Sequence, residues 1–112
     1  MKQINQGDIY LADLNPVKGH EQSGFRPVLI LQNNILNRGL NTVIIAPITS
    51  SLKLKGFITT YFLSKTESGL PKDSLVLLFQ IRTLDKERLV KEVGHVKESN
   101  FLDLKRQMME VF

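Results

Sequence analysis

Six short apolar runs, each too brief for an ordinary helix, constrain this chain more than any other feature of it. "PVLILQ" (27–32) and "TVIIAPI" (42–48) are continuously apolar rather than alternating, the pattern of strands buried on both faces. "DIYLAD" (8–13), the β-branched and aromatic "FITTYFL" (57–63), "SLVLLFQI" (74–81) and the weaker "LVKEVGHV" (89–96) read as further strands. Pro47 has no N–H to give to a ladder, so it is expected to end the regular pairing of its strand. Gly94 is expected to mark a bulge or a close approach of backbones. Gly69, Pro71 and Asp73 supply a turn before the fifth run. From Asn100 onward the period changes. Phe101, Leu104, Met108, Val111 and Phe112 recur at spacings of three and four, which predicts a C-terminal helix. Ser99 or Asn100 can supply its N-cap, and Asp103 an acid in its first turn. One more helical turn is expected between Asn33 and Gly39.

Five or six strands and a terminal helix in 112 residues predict a fold that is mainly β with some α. Its simplest form is one domain, residues 1–112, built as a small, strongly bent sheet or barrel closed by the helix. The content is 42% apolar and 23% charged, which is globular composition. The apolar runs fall far short of the roughly 20 residues that span a bilayer, and the N-terminus lacks the apolar stretch of a secretory signal. With no cysteine there is no disulfide framework and no thiolate site, and two histidines make a zinc site unexpected. A soluble, intracellular protein with no membrane, metal or cofactor is the expectation. Fifteen Lys and Arg against eleven Asp and Glu give a net charge of +4. That charge suits a phosphate-rich partner and suits equally a surface charged only for solubility.

Chemistry concentrates at three places. Thirteen residues, Leu14 to Arg26, join the first two strands and carry Lys18, His20, Glu21 and Arg26; connections of that length are often binding or catalytic loops. A carboxylate and a guanidinium there suit proton transfer and stabilisation of a charged phosphate intermediate, or else form an exposed ion pair worth little. "APITSS" (46–51) ends a buried strand in hydroxyls, Thr49 first. "FQIRTLD" (79–85) places Gln80, Arg82 and Thr83 at the end of another. Strand ends are where small folds build sites, although hydroxyls there also form ordinary turns.

Read together, "GDIYLADLNPVKGHEQSGFRPVLIL", "APITSS" and "LLFQIRTLDKERL" resemble the MazF/PemK family of toxin endoribonucleases from bacterial type II toxin–antitoxin systems. The resemblance runs from about Gly7 into the final helix. Its most specific part is Gly-Asp-Ile-Tyr followed by Pro-x-x-Gly-His-Glu-Gln-x-Gly-x-Arg-Pro. It implies an SH3-like β-barrel with a C-terminal helix, a homodimer, and a groove at the dimer interface. The implied activity is metal-independent, cofactor-free cleavage of single-stranded RNA, often mRNA, at a short sequence in the cytoplasm. The implied partner is a cognate, MazE-like antitoxin whose C-terminal segment occupies that groove.

Carried over by residue, the resemblance gives Arg26, Thr49 and Glu21 catalytic roles and His20 a catalytic or phosphate-contacting one. Gln80 and Arg82 fall on a Gln-x-Arg-Thr segment that lines the groove. Phe25, Ser50, Lys53, Lys55 and Phe79 are candidates for base stacking and backbone contacts. Many members carry Asp or Glu where this chain has Phe79, which shifts weight for the base role toward Glu21, His20 or Arg26 itself. In the implied reaction the RNA 2′-hydroxyl attacks the adjacent phosphate, leaving a 2′,3′-cyclic phosphate and a 5′-hydroxyl. Arg26 stabilises the phosphorane and Thr49 donates to a phosphate oxygen. Two alternatives stand beside it: a non-catalytic toxin of the same barrel type acting on DNA gyrase, and an RNA- or protein-binding module.

Overall fold

The computed structural model describes residues 3–15 and 24–112. It has seven strands rather than five or six: β1 (Asp8–Asp13), β2 (Phe25–Ile30), β3 (Thr42–Thr49), β4 (Thr60–Leu63), β5 (Ser74–Leu77), β6 (Arg82–Asp85) and β7 (Leu89–His95). Helix α1 (Asn34–Gly39) follows β2, the short α2 (Lys65–Ser68) follows β4, and α3 (Glu98–Val111) ends the chain. All the pairings are antiparallel, in the order β4-β5-β3-β2-β1-β7, with β6 lying against β3. The sheet curls like a barrel wall but does not close: β4 and β7 remain its two ends.

Burial on both faces accounts for the continuous apolar runs. Along β2 and just beyond it, Leu29 and Leu31 join one core with Ile9, Ala46, Ile48, Val76, Phe101 and Leu104. Val28 and Ile30 join the other, with Tyr10, Ala12, Val43, Ile45, Leu84 and Leu89. Successive residues of a strand point to opposite faces, so a strand between two cores has no polar side to show. Helix α3 covers the first core through Phe101 and Leu104.

Strand β3 organises the rest. It is eight residues long and opposes β2 on one edge. Its other edge takes β6 along Thr42–Ile45 and β5 at Ile48 and Thr49. Pro47 therefore does not end the strand, as its missing N–H led us to expect; it opposes Val28 inside the β2–β3 ladder and sits where the second edge changes partner. Between Ile48↔Val76 and Ile45↔Arg82 the partner chain carries three residues more than β3. Those three form the 3₁₀ turn Leu78–Gln80. The run 74–81 is thus not one strand: it follows β3, steps outward opposite Pro47, and resumes as β6.

Three other expectations need correction. The fourth strand begins at Thr60 rather than at residue 57, because the segment before it is wound into turns: Thr60 N–H donates to Phe57 O (3.1 Å) and its hydroxyl to Leu54 O (2.8 Å). Helix α3 starts at Glu98 after Lys97, whose side chain makes no capping bond. Asn100 is engaged elsewhere, its amide donating to Glu67 Oε2 (3.1 Å), and that bond with one from Ser64 holds the Glu67 carboxyl below the usual carboxylate range. The acid of the first turn is Glu98, not Asp103; Asp103 instead accepts from the Tyr61 hydroxyl at 3.0 Å. Gly94 does mark a close approach, since a Cβ there would overlap the Ser68 carbonyl oxygen of α2. Beside it, His95 Nδ1 lies 2.9 Å from Asp8 Oδ1, joining β7 to β1. Among the described residues, no helix is long and apolar enough to cross a membrane.

Candidate active site

Arg26, Thr49 and Arg82 belong to the same face of the sheet. In β2, Arg26 alternates into phase with Val28 and Ile30; in β3, Thr49 is in phase with Pro47, Ile45 and Val43; in β6, Arg82 and Leu84 oppose Ile45 and Val43. Continuing the register Val28↔Pro47 two residues outward sets Arg26 opposite Thr49. The apolar stack on this face ends there, and the polar groups begin.

Each group is supported locally. The Ser51 N–H donates to Thr49 Oγ1 at 3.1 Å, a short hydroxyl turn closing the end of β3. That bond fixes the Thr49 rotamer and leaves its hydroxyl hydrogen available to donate. The turn opposite Pro47 carries Phe79 and Gln80 out of the ladder, and Phe79 is 47% exposed. One guanidinium nitrogen of Arg82, Nη1, is buried without a hydrogen-bond partner among the described residues. An unsatisfied buried donor costs about 1–3 kcal/mol, a deficit that an anionic ligand on this face would remove.

The cavities on either side of the β3 terminus divide these residues. A cavity of about 330 Å³ is lined by Thr49, Ser51, Lys53, Leu54, Leu75, Leu77, Phe79 and Gln80. Its neighbour, of about 260 Å³, is lined by Arg26, Pro27, Ile48, Ser50, Leu70, Pro71, Lys72 and Ser74. Thr49 and Ser50, adjacent at the end of β3, line different cavities. Thr49, Lys53, Phe79 and Gln80 are thereby gathered on one side, Arg26 and Ser50 on the other.

Phe25 and Lys55 stand apart from these groups. Phe25 alternates away from Arg26 and lines a separate cavity with Asp13, Asn15, Asp85, Glu87, Arg88 and Val90. Lys55 Nζ lies 4.2 Å from the centroid of the Phe62 ring, in a groove against α3 that also contains Tyr61, Asp103 and Gln107. Burial, reinforced by the Asp103 hydrogen bond, pushes the Tyr61 hydroxyl up to about 12, so it stays protonated there. His20 and Glu21 lie outside the described residues. Leu75 and Leu77, which also line the larger of these two cavities, are not singled out by the sequence. Both read as core in an unbroken apolar run, and both are indeed buried. Among the described residues no group of three His, Asp or Glu is placed to hold a metal ion.

The model of a family described as the PemK-like, MazF-like toxin of type II toxin–antitoxin systems matches residues 5–112. The chain belongs to that family. A curated relative, the endoribonuclease MazF of Staphylococcus epidermidis, is 46% identical over 101 residues, covering 90% of this chain and 84% of the relative. Among solved structures, the Mycobacterium tuberculosis toxin MazF-mt6 is 26% identical with a TM-score of 0.77, over 94% of this chain and 95% of that one. A mycobacterial endoribonuclease in complex with its cognate antitoxin is 23% identical, with a TM-score of 0.75 over 98% of this chain and 93% of its own. At that identity the likeness speaks for the fold alone. This PemK/MazF-like chain thus shares its fold with solved MazF toxin structures along almost its whole length.

Proposed function

We propose that this PemK/MazF-like toxin is a metal-independent endoribonuclease that cuts single-stranded RNA, mRNA above all, at a short recognition sequence. The observation that supports this reading is that Arg26, Thr49 and Arg82 are in phase on one face of the sheet by strand alternation, with the exposed Phe79 in the turn that interrupts the strand opposite. This arrangement joins charge to neutralise a phosphate, a hydroxyl to orient it, and an aromatic face to stack a base. The nucleophile is the RNA 2′-hydroxyl. Arg26 stabilises the phosphorane as negative charge develops, acting as a charge rather than as a proton carrier because a guanidinium holds its proton too firmly. Thr49 donates to a non-bridging oxygen, Glu21 or His20 takes the 2′-hydroxyl proton, and as the 2′,3′-cyclic phosphate closes the P–O5′ bond breaks, the leaving 5′-oxygen taking a proton from solvent water. Arg82, Lys53, Ser50 and Gln80 hold the flanking backbone and base edges, with Lys55 and Phe25 at greater distance along the strand path. A cognate antitoxin, as the family's place in a toxin–antitoxin pair requires, silences the site by occupying the same surface. The functional form is a homodimer, and its RNA targets place it in the cytoplasm.

The test is a mixed-sequence single-stranded RNA incubated with the purified protein in excess EDTA, beside the same sequence built with 2′-deoxy sugars. Discrete cuts in the RNA alone, with 5′-hydroxyl ends, are the expected result. Cutting of the deoxy strand, 5′-phosphate ends, or loss of activity in EDTA would each overturn the mechanism.

Thr49→Val keeps the shape of the side chain and removes the donor. Loss of one preorganised donor typically costs about 10²–10³-fold in rate, so single-turnover cleavage is expected to slow by roughly 10²-fold, with RNA affinity nearly unchanged. A cleavage rate within a few-fold of wild type would remove Thr49 from the reaction.

A further inference from the structure

Arg88 does something that neither its place outside both cavities of the candidate site nor its charge would suggest. It lies in the short turn Lys86–Arg88 between β6 and β7. Its Nη1 donates to the backbone carbonyl of Asp13 at 3.1 Å and to that of Asn15. These carbonyls stand where β1 ends. Asn15 passes the constraint on: its side-chain Oδ1 accepts from the Gly24 N–H at 3.1 Å. Gly24 O in turn accepts from the N–H of Leu14, which is fully buried, at 3.0 Å. Gly24 has φ of +75°, a conformation that side chains resist, so the glycine lets the chain turn into β2 within this clasp.

We infer that Arg88 and Asn15 are positioning residues for Arg26, a conclusion that rests on the RNA-cleaving reading above. The route is short. Arg88 fixes Asn15, Asn15 fixes Gly24, and Gly24 lies two residues before Arg26, whose own backbone opposes Ala12 of β1. The outermost pair of that ladder, Asp13↔Phe25, has one member gripped directly by Arg88. Without the clasp the β1–β2 ladder frays from that end, and Arg26 is the next residue in. Neither Arg88 nor Asn15 need touch RNA. Their effect falls on where the guanidinium of Arg26 stands when the phosphorane forms. Orientation errors near 1 Å cost about 10²-fold in rate.

The test is steady-state and single-turnover cleavage by four full-length variants: Arg88→Ala, Asn15→Ala, Asn15→Asp and the double alanine variant. Arg88→Ala and Asn15→Ala are each expected to lower kcat by about 10- to 100-fold, with KM within about threefold of wild type. Asn15→Asp keeps the acceptor for the Gly24 N–H and is expected to recover most of the rate. The double variant should be little slower than the worse single, because both act through one chain of contacts. A purely structural role would lower the melting temperature without separating Asn15→Asp from Asn15→Ala in kcat. Should Arg88→Ala fail to fold, the two Asn15 variants decide the question alone. Unchanged kcat in the alanine variants, a loss confined to KM, or an Asn15→Asp as slow as Asn15→Ala overturns the inference while leaving the nuclease reading intact. A wild-type protein that cuts no RNA overturns both.

Discussion

Arg26→Ala is expected to lower the rate of RNA cleavage by at least about 10³-fold while RNA binding weakens only a few-fold. The asymmetry follows from where the charge acts. In the proposed binding mode RNA is also held by Lys53, Arg82, Gln80 and the exposed ring of Phe79, all of which remain. The extra charge on the phosphorane exists only in the transition state, and an interaction made only there is lost from kcat rather than from KM. Arg26→Lys should recover little, because an ammonium offers a point charge where the guanidinium offers a planar, two-pronged donor. Single-turnover cleavage with gel-resolved products, set against binding by fluorescence anisotropy, makes the measurement. Near-normal cleavage by Arg26→Ala would sink the mechanism, and an equal loss of binding would recast Arg26 as an anchor for RNA.

The second large effect is on stability. Gly94→Ala places a methyl group against a backbone oxygen, that of Ser68, with the Ile9 side chain 3.4 Å away on another side. A flexible side chain could swing aside, but a carbonyl held at the end of α2 cannot. Relief requires β7 or α2 to move as a unit. Overpacking a tight site usually costs 1–3 kcal/mol, occasionally more, and a backbone collision belongs at the upper end. Gly94→Ala is therefore expected to lose about 3 kcal/mol, a fall in Tm on the order of 10 °C, with cleavage by the remaining folded protein unchanged. Urea and thermal unfolding measure it. A loss below about 1 kcal/mol would mean that α2 yields freely and that the glycine serves another purpose.

Gly94 was legible in the sequence, and the reason is instructive. A glycine amid β-branched neighbours breaks a pattern, and broken patterns report local contacts. Strand β1 matched residue for residue, with the turn-forming Gly7 marking its start. The turn Leu78–Gln80 could not be read in the same way. "SLVLLFQI" is an unbroken apolar run, and what interrupts it is Pro47, some thirty residues earlier in the chain and across the sheet. No local period carries that information. Helix α2, four residues long, is too short for any period to register. The N-cap of α3 was misassigned for a similar reason: Asn100 has the chemistry of a cap, but Glu67 engages it first.

The candidate site divides along the same line. Arg26, Thr49, Gln80 and Arg82 stand out in the sequence because polar residues there close apolar strands. Phe25 is a stacking candidate alongside Phe79 in the sequence, yet adjacent strand residues face opposite ways, and the structure sets it in a cavity apart from both Arg26 and Phe79. The leucines lining the larger cavity carry no mark to separate them from core. Arg88 was invisible as well, for its work is done through backbone carbonyls, which every sequence has.

One feature near the end of the chain bears on how the protein behaves in isolation. Gln107 of α3 donates its side-chain amide to the carbonyls of Ile58 (2.9 Å) and Thr60 (2.5 Å), at the outer edge of β4. A terminal strand with open carbonyls is a template on which foreign strands grow. The last helix, besides covering the core, is thus a guard against uncontrolled polymerisation. Shortening the chain before Gln107 would leave the catalytic groups in place and turn a discrete protein into one prone to stack upon itself.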